Sequence, residues 1–149
     1  AEVPRGAPSL PRTHVVRPGL VERVVRDLID PDRRASAAHS LLGVGGGGKT
    51  MLASSVVRDD RVRSRFKDGI FWVPVGRQGH ANAYLLLENL ARELAANPSN
   101  ATQPCPPRFD SAEDAARYVS GIRAKVDLLC LVVLDNVWNV EVANSFANT

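Results

Sequence analysis

Lys49 and Thr50 close a stretch in which five of the six preceding positions are glycine: residues 43–50 read GVGGGGKT. An ammonium and a hydroxyl at the end of a backbone without side chains suit a compact polyanion. Backbone N–H groups wrap a phosphate chain only where side chains stay out of the way and some residues take positive φ. A helix beginning near Lys49 would add its positive dipole end and its unpaired N–H groups. The stretch fits the phosphate-loop pattern G-x-x-x-x-G-K-S/T at every fixed position. On this reading Gly43, Gly45, Gly46, Gly47 and Gly48 form the cradle. Lys49 reaches the β- and γ-phosphates, and Thr50 offers its hydroxyl to Mg2+. The alternative is a flexible glycine linker that happens to precede Lys-Thr. An apolar run before the loop and a helical pattern after it argue against that.

A second group lies in LCLVVLDN, Leu129 to Asn136. In phosphate-loop proteins a buried strand ends in an acidic residue that holds Mg2+ directly or through water. Asp135 is placed for that role. Many buried strands end in Asp at a turn, so Asp135 gains weight only beside Lys49 and Thr50. Lys49 and Asp135 are the candidate catalytic residues; Thr50 and Asp135 are the candidate metal ligands. Trp72 and Trp138 read as core or interface aromatics and His39 as structural. Arg77 either approaches a phosphate or is solvated.

These residues need a scaffold, and the apolar pattern supplies one. RPGLVERVVRDLID reads as a helix with Leu20, Val21, Val24, Val25 and Leu28 on one face, and Pro18 suits its first turn. AAHSLLG, residues 37–43, reads as a short buried strand. KTMLASSVVRDD is helical, with Leu52, Ala53, Val56 and Val57 on one side. GIFWVPVG, Gly69 to Gly76, carries a strand signal, although Pro74 suits an edge position. HANAYLLLENLARELAA is the clearest helix, with Ala83, Leu86, Leu87, Leu90, Ala91 and Leu94 on one stripe. DSAEDAARYVSGIRAKV is another. Ser111 is its expected N-cap with Asp114 reaching back, and Ala115, Val119, Ile122 and Val126 its buried face. LLCLVVLDN reads as a strand covered on both faces. EVANSFANT starts a last helix. Strands alternating with helices favour an α/β fold with a parallel sheet, here with about three strands. Residues 1–13 hold three prolines and no periodicity, and read as a flexible lead-in or linker.

Composition narrows the function. The chain has 149 residues, 44% hydrophobic and 23% charged, which fits one globular domain with a core. The net charge of +3 comes from scattered arginines, which argues against nucleic acid as a partner. The longest apolar run, Leu128 to Leu134, is far shorter than the roughly 20 residues that cross a bilayer, so no membrane is expected. Cys105 and Cys130 sit in no CxxC or metal-ligand pattern. They read as free thiols in a reducing, cytoplasmic compartment.

The motifs GVGGGGKTMLA, FWVPVGRQ and LVVLDNVW resemble, in order and spacing, NB-ARC nucleotide-binding domains. These are signalling switches of plant disease-resistance proteins and of the animal apoptotic protease-activating factor. The helix AYLLLENLARELAA looks nearest the apoptotic-factor type, and DNVW resembles the family's D-D-V-W. The resemblance covers residues 14–149, read as a partial domain of the three-layer phosphate-loop NTPase fold. It implies an ADP/ATP switch with Mg2+, in which exchange permits assembly with other copies of a longer protein. It also implies that Val15 and Arg17, in the family's V-x-R segment, pack near the adenine; no guanine-reading motif is visible.

Three departures matter. Asn136 stands for the family's second acidic residue. An amide orients water but does not take its proton as a carboxylate does, so hydrolysis is expected to be weak or absent. Met51, counted with the nucleotide-binding positions, stands for a second hydroxyl, so one side-chain contact to the α-phosphate is expected to be missing. Gly47 replaces a larger residue, which costs roughly 0.5–1 kcal/mol of order. The later strands and helical parts of the family do not follow Asp135, so the chain is expected to be a fragment or truncated product with an open sheet edge. The leading expectation is a purine-nucleotide-binding regulatory module. The alternatives are a true enzyme, an AAA-like ATPase or small-molecule kinase, and an interaction module that does not bind nucleotide.

Overall fold

A computed structural model of the chain describes residues 1–4, 6–15, 17–32, 40–43, 45–78, 82–96, 108–125 and 129–147. Along these run α1 (Pro18–Ile29), α2 (Lys49–Val56), α3 (Asp60–Arg65), β1 (Gly69–Pro74), α4 (Ala83–Ala95), α5 (Ala112–Lys125), β2 (Cys130–Asp135) and α6 (Val140–Ala147). The strands pair in parallel, from Gly69 opposite Cys130 to Pro74 opposite Asp135. Parallel neighbours need a long crossover, and α4 and α5 supply it. Pro74 has no N–H to donate. The pairing is extended past it by Val75, whose N–H donates to the Asp135 carbonyl at 2.9 Å.

Alternation along the strands sends successive side chains to opposite faces, and both faces are covered. Phe71, Val73 and Val75 pack with Leu87, Leu90 and Leu94 of α4 and with buried residues of α5 and α6. Ile70 and Trp72 pack with Val25 of α1, Val56 and Val57 at the end of α2, and Val62 of α3. β2 follows the same division: Cys130, Val132 and Leu134 meet the first cluster, Leu131 and Val133 the second. This is a three-layer α/β arrangement. It explains why β1 is apolar throughout and β2 apolar up to Asp135 at its end.

Of the three expected strands, Gly69–Pro74 and Cys130–Asp135 are present. For the third, residues 37–39 lie outside the described residues, and Ser40 to Gly43 are neither strand nor helix. Leu42, expected inside, is 91% exposed. β2, expected to be covered on both faces, is half-buried at every position. Among the described residues it has a strand neighbour on one side only.

The α4 stripe is as expected: Ala83, Leu87, Leu90, Ala91 and Leu94 are buried and Leu86 packs against them. α5 begins after Ser111, whose hydroxyl accepts from the Asp114 N–H at 3.1 Å and donates to the Asp114 carboxylate at 2.9 Å. The carboxylate thus meets the hydroxyl rather than the cap's own N–H. Ala115, Val119 and Ile122 are buried; Val126, His39 and Cys105 lie outside the described residues. Cys130 is half-buried.

The helix expected over residues 49–60 is two helices. α2 ends at Val56, and α3 restarts after Asp59, whose side chain accepts from the Arg61 N–H. Aspartate is a favoured N-cap, so the chain breaks where a carboxylate can satisfy the new helix's open donors. Residues 1–13, expected as a lead-in, form no helix or strand at their described positions yet lie against the domain. The buried Ser54 hydroxyl donates to the Pro8 carbonyl at 2.6 Å, and Arg63 Nε donates to the Ala1 carbonyl at 2.9 Å.

Two outcomes follow. Leu90→Ala removes a side chain that is 2% exposed at the centre of the larger cluster. The expected loss is about 2–5 kcal/mol in a urea titration. The second concerns Arg61, which forks between Glu22 on α1 (3.1 and 2.7 Å) and Asp59 at the α3 cap (3.0 and 2.9 Å). Its hydrogen bonds hold both carboxyls below their ordinary values. A lowered folded-state value means the unfolded chain binds more protons. The stabilisation is present above the ordinary carboxylate range and is lost as pH falls through the folded values. Arg61→Gln is expected to flatten the acid side of the pH–stability curve, read by denaturant midpoint at each pH.

Candidate functional site

The loop before α2 lies at the end of the sheet where β1 and β2 terminate. Gly46 and Gly48 have φ of 76° and 80°. A Cβ built on either would meet nothing within 4 Å. The need for glycine here is therefore conformational rather than steric. Gly48 is the N-cap of α2, and its carbonyl accepts from the Leu52 N–H at 2.8 Å. Lys49 folds back over the loop, with Nζ donating to the Gly43 carbonyl at 2.8 Å. Arg17, just before α1, sends Nη1 to the Gly47 carbonyl at 3.3 Å.

Thr50, in the first turn of α2, donates its hydroxyl to Asp135 Oδ1 at 2.7 Å. Asp135 is the last residue of β2, so this contact joins positions 85 apart in the chain. Both side chains are half-buried. A cleft of about 990 Å³ opens here. Gly43, Gly45 to Gly48, Lys49, Thr50, Met51 and Asp135 border its polar end, and its apolar remainder runs along β2 to Phe146. Of the expected site residues, all but two border this cleft. Arg17 reaches the loop without bordering it. Val15 is 78% exposed, outside the cleft wall.

Past Asp135 the chain turns sharply. Asn136 has φ of 61°, the one non-glycine residue among those described with positive φ. Its Oδ1 accepts from Trp138 Nε1 at 2.8 Å. Trp138 is 61% exposed, while Trp72 is 6% exposed. The core reading therefore holds for Trp72 and fails for Trp138. Arg77, just past β1, lies over the Trp138 ring with its guanidinium carbon 4.6 Å from the centroid. Asn136 and Trp138 border the same cleft as Lys49 and Asp135. The Arg77–Trp138–Asn136 group was not apparent from the sequence. Its one signal was Asn at a strand end, a residue that tolerates the left-handed region.

A hydroxyl beside a carboxylate is a hard-oxygen pair of the kind Mg2+ takes together with phosphate oxygens and water. Among the described residues no group of three His, Cys, Asp or Glu is placed to hold a metal. Nor is any helix among them long and apolar enough to cross a membrane.

A glycine loop feeding a helix, at the C-terminal end of parallel strands covered on both faces, is the architecture of the phosphate-loop NTPase class. Within it the chain belongs to the NB-ARC family, whose domain model matches residues 17–147. The chain is similar to apoptotic protease-activating factor 1 of Danio rerio, 29% identical over 143 residues, which is 95% of this chain and 11% of that protein. The same factor of Homo sapiens is 29% identical over 142 residues, again 95% of this chain and 11% of that protein. A protein of Arabidopsis thaliana named for disease resistance is 41% identical over 58 residues, 39% of this chain and 6% of that protein. The chain thus spans about a tenth of the length of the apoptotic factors it matches.

Thr50→Val tests the central contact. It keeps the side-chain shape but removes the hydroxyl that meets Asp135. A loss of about 1 kcal/mol is expected in urea unfolding, with the far-ultraviolet circular dichroism unchanged.

Proposed function

We propose that this chain is an ADP/ATP-binding regulatory module of a cytoplasmic signalling protein. The observation that carries the reading is the Thr50–Asp135 hydrogen bond, at 2.7 Å, beside Lys49 and the glycine loop. The contiguous glycine loop, Lys49 and Thr50 meet Asp135, 85 positions on from Thr50, and together they are residue types suited to a magnesium–phosphate group.

The roles divide as follows. The loop N–H groups and the start of α2 receive the phosphate oxygens. Lys49 exchanges its contact with the Gly43 carbonyl for the β- and γ-phosphates. Thr50 and Asp135 would hold Mg2+, which supplies charge neutralisation between the terminal phosphates. Arg17 ties the segment before α1 to the loop through the Gly47 carbonyl. That link supports Val15 and Arg17 as the approach to the base. The adenine preference follows the family, as does a nucleotide-governed assembly with other copies in cell-death or defence-type signalling. Similarity to the apoptotic factors over 95% of the chain supports that assignment.

Asn136 argues for a switch over an efficient ATPase. A carboxylate takes a proton from attacking water; an amide does not. Turnover is proposed to be weak at most, so the bound nucleotide would set the state of the module.

Calorimetric titration with Mg2+ and ADP, then with Mg2+ and ATP, tests this. Wild-type chain is expected to bind ADP with negligible phosphate release, and Lys49→Ala to lose binding at least tenfold, the scale of a charge-assisted hydrogen bond. Rapid phosphate release would support an ATPase instead. A folded wild-type chain that bound neither nucleotide would end the proposal.

A further inference from the structure

We propose that Asn136 is a hydrogen-bond donor that reads the terminal phosphate of a nucleoside triphosphate, and that Trp138, stacked under Arg77, is the positioning residue that holds it in that role. The inference rests on the nucleotide-binding reading above and adds what distinguishes a triphosphate from a diphosphate.

The argument starts from a donor that has no alternative. An indole N–H only donates. Its partner on Asn136 is therefore the amide oxygen, and the contact from Trp138 Nε1 to Oδ1 at 2.8 Å fixes which end of the amide is which. With that oxygen engaged, the free capacity of the side chain lies mainly in its two N–H donors. The backbone adds a second constraint. At φ 61° Asn136 occupies the left-handed region, where asparagine is tolerated and most side chains are strained. The turn and the indole together leave the amide little rotational freedom.

Arg77 supplies the third constraint. Its guanidinium carbon stands 4.6 Å from the centroid of a ring that is 61% exposed. A large aromatic side chain that far out of the core is held by its surface contacts, and a cation over its face is one. Arg77 follows β1 and Asn136 follows β2, so the stack spans the ends of both strands. The amide so held borders the cleft shared by Lys49, Thr50 and Asp135. Amide donors there attract the oxygens of a phosphate group. A carboxylate at the same position would repel them. ADP lacks the terminal group, so the donor should affect triphosphate binding alone.

The test is calorimetry on the full chain with Mg2+, comparing ADP with a slowly hydrolysed ATP analogue. Asn136→Asp keeps an acceptor for the indole but replaces the donors by charge. It is expected to lower the analogue-to-ADP affinity ratio about tenfold. Asn136→Gly, which accepts the left-handed backbone, should lower it about fivefold. Trp138→Phe keeps a ring under Arg77 but removes the indole N–H, and should lower the ratio about threefold. Unchanged far-ultraviolet circular dichroism in each variant shows that the fold is intact. An unchanged ratio in Asn136→Asp with ADP still bound overturns the donor role and leaves the nucleotide-binding reading standing. An unchanged ratio in Trp138→Phe alone overturns the positioning role. Wild-type chain that bound neither nucleotide would overturn both readings. A nucleotide-free readout accompanies these: the Trp138 indole N–H proton resonance should move upfield in Asn136→Gly, and a fixed resonance overturns the clamp.

Discussion

The Thr50 hydroxyl and the Asp135 carboxylate meet because two separately built elements end at the same place. Asp135 is where it is because β2 lies parallel to β1 in a single register, from Gly69–Cys130 to Pro74–Asp135. That register is set by packing. A slip of one residue would exchange Val132 and Val133 between the two core clusters and turn each strand's side chains to the wrong layer. Thr50 is where it is because α2 starts at the left-handed Gly48 and packs through Val56 and Val57 onto the second layer. Parallel strands gather their carboxyl ends on one side, and ligands bind in the crevice there. The 2.7 Å contact depends on all of these at once.

The loop between these elements is shaped by its carbonyls as much as by its amides. Lys49 draws the Gly43 carbonyl toward itself, and Arg17 draws that of Gly47. In a trans peptide the carbonyl and the following N–H point in opposite directions. Arg17, by taking the Gly47 oxygen, thereby turns the Gly48 N–H away from itself. A cation on the outside of the loop helps aim an amide. This gives Arg17 a physical role even where Val15, its neighbour in the expected base-binding segment, stands 78% exposed.

What was legible in the sequence was whatever a local pattern could carry. The α4 stripe from Ala83 to Leu94 and the Ser111 cap are repeated or local signals, and both are present in the structure. The glycine loop and Lys-Thr are contiguous, so their meeting with Asp135 needed only the fold class. Breaks governed by one residue were missed. The helix over residues 49–60 was divided by Asp59, a capping preference outweighed in reading by the apolar periodicity on either side. Trp138 was misread because a tryptophan after a buried strand suggests core, whereas its partners are polar: Asn136 at the end of its own strand and Arg77 from the end of the other. Nothing in the spacing of Arg77 and Trp138, separated by the whole crossover, signals that they stack.

Two contacts at the site have a direction set by chemistry alone. A carboxylate accepts, so the Thr50 hydroxyl donates to Asp135; an indole donates, so Asn136 accepts through its oxygen. Each contact determines what its outer member has left. Thr50 spends its only proton on Asp135 and keeps oxygen lone pairs, which suit a hard cation. Asn136 spends its oxygen on Trp138 and keeps N–H groups, which suit an anion. A metal-bound phosphate chain presents both kinds of partner within a few ångströms. An amide at position 136, where a carboxylate would accept a proton, therefore does more than leave a base out. It leaves Asp135 as the lone carboxylate of the two and sets N–H donors next to it, so that the strand end carries an acceptor suited to a cation on one residue and donors suited to an anion on the next.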